Sequence, residues 1–222
     1  MSSIGEITLN ISFALYLFLY VPQLWRNIKY KRVADLSFAF HALLFIAATA
    51  DLYYGFGRIH QWQYRVVSLV MFSCLLAQHI QLFFYQNKLK LIILSLVIIS
   101  MLLGLFYLIY FSLPHSRLYI TMGWAERIGY WLYLLPQILK NRSRHLHSIS
   151  SSARAISPVF VTIGLLTAVL DTVSARSFSW GSPSLYGAPI AVVLHLWVLY
   201  QCFMINKNIT LNIDQRLKSN NI

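Results

Sequence analysis

Six ionisable residues lie inside or beside stretches too apolar for water: Asp51, His79, Glu126, Arg127, Asp171 and His195. A charged side chain at the centre of a bilayer costs about 2.5 to 3.5 kcal/mol on insertion scales, so such groups face a partner, a solute or water. Carboxylates and imidazoles in that setting can hold the cationic part of a solute or exchange a proton. Glu126 shares one helical stripe with Tyr130, Tyr133 and Gln137, and subtracting 114 gives Ser12, Tyr16, Leu19 and Gln23, polar at three of four positions. Two such stripes facing each other would line a cavity; the competing reading is a packed interface held by tyrosine hydroxyls. Arg127 points about 100° away from Glu126 on a helix and is expected to pair with Asp171 or Asp51. Asp51 and Asp171 close their apolar runs, where a place in the outer interface competes with a buried one. His79 and His195 come within one residue of register when Tyr85-Gln86 is laid on Tyr200-Gln201, and for both a packing role competes with a functional one. No metal-ligand spacing, Ser-His-Asp order, phosphate loop or nucleotide fingerprint is found in the sequence. Neither an enzyme, a metal nor a cofactor is expected.

The elements that must position these residues are organised by a repeat. Tyr20-Val21-Pro22-Gln23-Leu24-Trp25-Arg26-Asn27 returns as Leu134-Leu135-Pro136-Gln137-Ile138-Leu139-Lys140-Asn141, 114 positions later. Each copy closes an apolar run, is followed by a basic segment, and then by a serine-containing restart, Leu36-Ser37-Phe38 in the first and Ile149-Ser150-Ser151 in the second. A proline inside a membrane helix removes one backbone bond and kinks the helix, and the adjacent glutamine amide can bond a freed carbonyl or a neighbouring helix. Pro22, Gln23, Pro136 and Gln137 are therefore read as hinges, against the simpler reading that they end two helices.

Composition places all of this in a bilayer. The chain is 58% apolar and 11% charged, with a mean hydropathy of +0.62, outside the range of soluble globular domains. Its net charge of +12 sits in short clusters between apolar runs, the pattern that orients membrane helices rather than one that binds nucleic acid. Cys74 and Cys202 both fall in apolar runs, so buried thiols are expected rather than a disulfide. The N-terminal segment has no basic n-region or cleavage site and is kept as the first span. Seven runs reach the length of about 20 residues that a membrane helix needs. They lie near Ile7 to Trp25, Ser37 to Gly57, Tyr64 to Gln86, Leu89 to Leu113, Leu118 to Leu139, Ala153 to Asp171 and Leu185 to Ile205. Thirteen Lys and Arg lie on the side of the first, third and fifth loops and the tail, against five on the other. The positive-inside rule then puts the N-terminus outside and the C-terminus in the cytoplasm.

The expected architecture is an all-α membrane protein of seven transmembrane helices. Two parallel three-helix bundles, residues 1–87 and 115–207, flank an inverting linker helix at 88–114, with a cytoplasmic tail at 208–222. Two three-helix copies can be parallel only if one more span separates them, and Leu91 to Leu103, polar only at Ser95 and Ser100, suits a lipid-facing connector.

Pro22-Gln23, Asn27, Lys29, Lys31 and Leu36-Ser37-Phe38 together resemble the signature of the PQ-loop repeat family of membrane proteins. That family includes cystinosin, lysosomal cationic amino-acid exporters and, more distantly, SWEET sugar transporters and the KDEL receptor. The second copy, Pro136-Gln137, Asn141 and Ile149-Ser150, is similar with a basic loop one residue shorter. The resemblance implies a seven-helix carrier of small solutes working by alternating access, with Pro22, Gln23, Pro136 and Gln137 as hinges and cytoplasmic gate. Cystinosin-like members carry coupling aspartates two residues after the first-repeat serine and seven after the second; these positions here are Ala39 and Ser157. Proton coupling would then fall to Glu126, Asp51, Asp171, His79 or His195, with Tyr16, Tyr130 and Tyr133 completing a substrate site, or the protein is a uniporter. The expected function is transport of a small polar solute, an amino acid ahead of a sugar. A SWEET-like sugar uniporter and a non-transporting receptor or scaffold on the same fold are the alternatives.

Overall fold

The computed structural model describes residues 3–30, 36–85, 88–111, 116–145, 156–178 and 190–204, and among these the structure is all helix and turn. The helices are α1 Ser3–Leu19, α2 Val21–Tyr30, α3 Phe38–Gly57, α4 Trp62–Tyr85, α5 Lys88–Tyr110, α6 Ser116–Leu132, α7 Leu135–His145, α8 Pro158–Ser177 and α9 Ile190–Met204. Five stretches are long and apolar enough to cross a membrane: Ile4–Lys29, which runs through α1 and α2, then α3, α4, α5 and α8. Their outward faces carry large apolar side chains such as Phe18, Phe84, Leu103, Phe106 and Leu166. Such a surface suits lipid and would associate in water. This is an integral membrane protein. The fifth expected span is divided between α6 and α7 and carries Glu126 and Arg127, and the seventh is described only over Ile190–Met204.

The two helix breaks fall where the prolines dictate. Pro22 and Pro136 cannot donate to the carbonyls of Phe18 and Leu132 four residues back, so the ladder is interrupted there. The turn is at Tyr20 in the first copy and at Tyr133-Leu134 in the second. Both helices then resume through equivalent bonds, Leu24 N–H to the Tyr20 carbonyl and Ile138 N–H to the Leu134 carbonyl, each 2.9 Å.

The second helices of the two copies stand at a different register from the Pro-Gln motifs. Helices α3 and α8 are both 20 residues long, preceded by Ser37 and Ser157 in closely similar extended conformations (φ −70°, ψ 128° and φ −76°, ψ 125°). Leu36-Ser37 thus corresponds to Ile156-Ser157, an offset of 120, whereas the Pro-Gln motifs are offset by 114. The second basic loop is six residues longer than the first, not one shorter. Ile149-Ser150, the expected restart, lies outside the described residues. Asp171 is accordingly not the end of its helix; it stands six residues before Ser177, as Asp51 stands six before Gly57.

Contacts between the copies follow the same correspondence. The most extensive helix pairs are α3 with α6 and α1 with α8, which the offsets of 114 and 120 exchange. Small residues allow both close approaches: Gly57 abuts Tyr119 in one pair, and Gly5 abuts Ser177 at the equivalent point of the other. Further along, a Cβ on Gly129 would stand 2.6 Å from the Ala47 Cβ, so α3 and α6 touch nearly backbone to backbone. Helix α5 buries one stripe, Leu91, Leu94, Ile98 and Leu105, and packs on α3 and α4. A core including Leu44, Phe45, Leu75, Leu134, Phe160 and Val198 runs across both copies.

Candidate functional site

Two adjoining cavities, of about 40 Å³ and 60 Å³, lie between the copies. Tyr16, Met71, Arg127, Tyr130 and Asp171 wall both. Ser12, Asp51, Tyr64 and Glu126 complete the first; Tyr20, Trp131, Tyr133, Gly164 and His195 belong to the second. The two polar stripes therefore do face one space, because the α1–α8 and α3–α6 contacts bring the first and fifth expected spans to opposite walls.

Each aspartate is held by hydroxyl donors. Asp171 accepts hydrogen bonds from the Ser12 hydroxyl (2.5 Å) and the Tyr16 hydroxyl (2.7 Å). By the offsets, Asp51 corresponds to Asp171, and Glu126 and Tyr130 correspond to Ser12 and Tyr16. Asp51 nevertheless takes its donors from α4, the Tyr64 hydroxyl and the Ser68 hydroxyl, the latter at 2.7 Å. With both aspartates occupied, Arg127 pairs with neither. Its Nη2 lies 3.7 Å from Glu126 Oε1, so the expected pairing with Asp171 or Asp51 gives way to the adjacent carboxylate.

The histidines separate. His195 Nδ1 lies 2.6 Å from the Ala191 carbonyl, which fixes the proton there; Nε2 then accepts from the Tyr133 hydroxyl at 2.8 Å, at the wall of the second cavity. His79 lines neither cavity. Its Nδ1 meets His41 Nε2 at 3.0 Å and its Nε2 meets the Ser95 hydroxyl of α5 at 2.8 Å. The expected equivalence of His79 and His195 fails with the loop length. Gln81 and Gln201 make the same bonds in their copies, which sets the third helices at an offset of 120 and lays His195 on Leu75.

The Pro-Gln glutamines meet across the molecule in a duplicated clasp. Gln23 Oε1 accepts from the Ser157 N–H and Gln137 Oε1 from the Ser37 N–H, both at 2.8 Å. Each glutamine thus caps the start of the other copy's second helix, whose leading N–H groups have no partner within the helix. Gln23 Nε2 donates to Asn27, and Asn27 to Gln81; Gln137 Nε2 donates to Asn141, and Asn141 to Gln201. Arg26 Nη1 reaches the Ile156 carbonyl and Lys140 Nζ the Leu36 carbonyl, again both at 2.8 Å. The same six-residue device is built twice, and it ties the copies together at the end where Asp51, Glu126 and Asp171 are not.

Of the residues singled out in the sequence, Tyr16, Asp51, Glu126, Tyr130, Tyr133, Asp171 and His195 line the cavities, and Gln23 and Gln137 form the clasp beside Pro22 and Pro136. Tyr64 and Gln81 are members that sequence reasoning passed over, whereas Ser157 and Gln201 figured in it only as alignment positions. Gln81 and Gln201 carried a usable signal, the glutamines that stand 54 and 60 residues from the matching Asn27 and Asn141. Among the described residues no group of three or more His, Cys, Asp or Glu side chains could hold a metal ion.

No curated protein matches the chain. Residues 4–64 match the family model described as the PQ loop repeat, a stretch that runs from α1 into the first turn of α4 and contains Pro22-Gln23, Asn27, Ser37 and Asp51. Residues 4–64 of this integral membrane protein thus carry one PQ loop repeat.

Proposed function

We propose that the protein is a carrier that moves a small polar solute, an amino acid ahead of a sugar, by alternating access. The observation that carries this reading is a polar cavity between two copies, closed at one end by a clasp that both copies build alike. A barrier made of two equivalent sets of hydrogen bonds at helix kinks can open without leaving a helix unfolded. Helix kinks at Tyr20 and Tyr133-Leu134 support Pro22 and Pro136 as hinges, with Gln23 and Gln137 as the gate itself. On this reading the chain is two parallel three-helix bundles, residues 1–87 and 115–207, joined by α5, and the clasp faces the cytoplasm. The repeated α1–α8 and α3–α6 contacts support a two-fold relation between the bundles about an axis along the membrane normal. Glu126, Asp51 and Asp171 are then the groups through which protons would couple to the solute, with no covalent chemistry and no cofactor.

Counterflow in proteoliposomes tests the reading. Purified protein preloaded with one unlabelled amino acid should accumulate the labelled form; a sugar that exchanges in its place would make the protein a sugar carrier. Binding without flux for every probe would make it a receptor on this fold and end the carrier reading.

A further inference from the structure

Away from the cavities, the first copy buries a polar cluster that the second copy does without. His41 of α3 and Gln78 of α4 are fully buried and His79 of α4 nearly so, and none of the three lines either cavity. At the offset of 120 that relates the second and third helices, their counterparts are Val161, Val198 and Leu199. Val161 and Val198 are fully buried as well, with Leu199 packed against the same core. Equivalent places in the fold are thus filled once by two imidazoles and an amide and once by hydrocarbon, so packing alone does not call for the polar set. What the first copy has beside this cluster is α5, which packs on α3 and α4 and brings Ser95 Oγ to 2.8 Å from His79 Nε2.

The hydrogen bonds of the cluster run in one direction. The Ser95 hydroxyl donates to the Leu91 carbonyl of its own helix at 2.9 Å, so it accepts from His79 Nε2–H. His79 Nδ1 is then left as the acceptor for His41 Nε2–H at 3.0 Å, and His41 Nδ1 accepts from Gln78 Nε2 at 3.3 Å. Both rings are neutral Nε2–H tautomers in this arrangement, and all four ring nitrogens are used. One acceptor is left over: Gln78 Oε1 is buried and makes no hydrogen bond among the described residues. Turning the Gln78 amide over would set that oxygen against His41 Nδ1, where an added proton would sit.

We propose that His41 and His79 form a proton-binding site outside the cavities, which takes up one proton per pair and serves as a pH-sensitive tie between the first copy and α5. The added proton binds His41 Nδ1 and is accepted by Gln78 Oε1. The proton between the rings can lie on either nitrogen, so the positive charge is shared, and with the charge on His79 the bond from Nε2–H to Ser95 becomes charge-assisted and stronger. A second proton would set N–H against N–H between the rings, so uptake stops at one. The helices around the pair supply no counter-charge that would replace Gln78. Helices α2, α4, α5 and α7 carry no carboxylate. Asp51 of α3 stands ten residues beyond His41, about 15 Å along the helix, and is occupied by Tyr64 and Ser68. Of the basic groups, Lys29, Lys88 and Lys90 are exposed, Arg26 and Lys140 reach the carbonyls of Ile156 and Leu36, and Arg65 lies over Phe56 near the far end of α4. Cys74 of α4 is a half-buried free thiol. The tie acts on α5 rather than on a solute, and it does not depend on the carrier reading.

The test is a titration of the full chain in detergent from about pH 8 to about pH 4, a range that spans imidazole titration, followed by histidine ring 15N shifts. These shifts separate the two tautomers and the neutral from the cationic ring, and the signals lost in His41→Val and in His79→Leu assign the pair. At the alkaline end both rings should be Nε2–H tautomers. On acidification one proton should enter in a step seen by both rings, with any second step more than about one pH unit away. Gln78→Leu, which keeps the bulk and removes the acceptor, should leave the pair neutral at the pH where the wild-type pair carries its proton. The hold on α5 is read by Ser95→Ala: the melting temperature it loses relative to wild type should grow as the pair charges. In the His41→Val/Gln78→Val/His79→Leu background, which writes the second copy's residues into the first, that loss should be the same at both ends of the titration; if this triple variant fails to fold, Gln78→Leu serves as the background. Rings that titrate independently, or not at all over this range, would overturn the inference. So would a Gln78→Leu pair that titrates as wild type, or a Ser95→Ala loss that does not change with pH.

Discussion

At the scale of single residues, the difference between Ser12 and Glu126 sets what the site can do. A hydroxyl at position 12 finishes Asp171, whereas a carboxylate at position 126 cannot donate to Asp51, which turns to Tyr64 and Ser68 instead. Glu126 is left as the cavity carboxylate with no hydroxyl donor among the described residues, facing Arg127 at 3.7 Å. If transport is proton-coupled, Glu126→Gln should abolish the pH dependence of flux while exchange at saturating solute persists. Wild-type pH dependence in that variant would shift the role to His195. His195 depends on Tyr133 for the partner of its Nε2. Tyr133→Phe should therefore lower stability by about 1–3 kcal/mol, the cost of a buried acceptor left unpaired, measured as a lower melting temperature in detergent. An unchanged melting temperature would mean that the imidazole finds another donor.

At the scale of elements, the prolines and the clasp meet on α2 and α7. Pro22 and Pro136 interrupt the ladder just below the cavity, and Gln23 and Gln137 anchor α8 and α3 from the opposite copies. Pro22→Ala or Pro136→Ala restores a good helix former and should straighten the segment, slowing exchange between states while insertion is unaffected; unchanged flux in both variants would remove the hinge role. The clasp predicts a matched pair of effects. Gln23→Ala and Gln137→Ala each leave a helix-start N–H and an asparagine short of a partner. Each should therefore open the same end by a similar amount. A cysteine placed at Leu44, which lines the second cavity, in a background lacking Cys74 and Cys202, should react faster with an impermeant thiol reagent from the clasp side in both variants. Faster reaction in only one would show that the two halves of the clasp do not share the load.

At the scale of the whole molecule, orientation and site placement become one question. The sequence count of thirteen basic residues in the first, third and fifth loops and the tail against five elsewhere predicts that a tag after Ile222 is protected in intact cells and a tag before Met1 is accessible. With that orientation the acidic groups would lie toward the non-cytoplasmic side and the clasp toward the cytoplasm. The reverse tag pattern would turn the gate outward and exchange the two ends of the transport cycle.

The sequence alone determined what depends on local periodicity. A helix repeats every 3.6 residues, so Ser12, Tyr16 and Gln23, or Glu126, Tyr130, Tyr133 and Gln137, fall near one face, and a proline inside a helix interrupts the ladder. Only the tertiary structure decided the rest. Six extra residues in a loop cost little, because closure entropy grows only with the logarithm of length, so motif spacing across the second basic loop carried no reliable register. Ser157 rather than Ser150 faces Gln23, and His195 falls on Leu75 rather than beside His79, for that reason. The partners of Asp51, Asp171 and Arg127 were equally out of reach. Which helix faces oppose each other is settled by close approach at Gly5, Gly57 and Gly129, between segments more than 60 residues apart, where no local pattern extends.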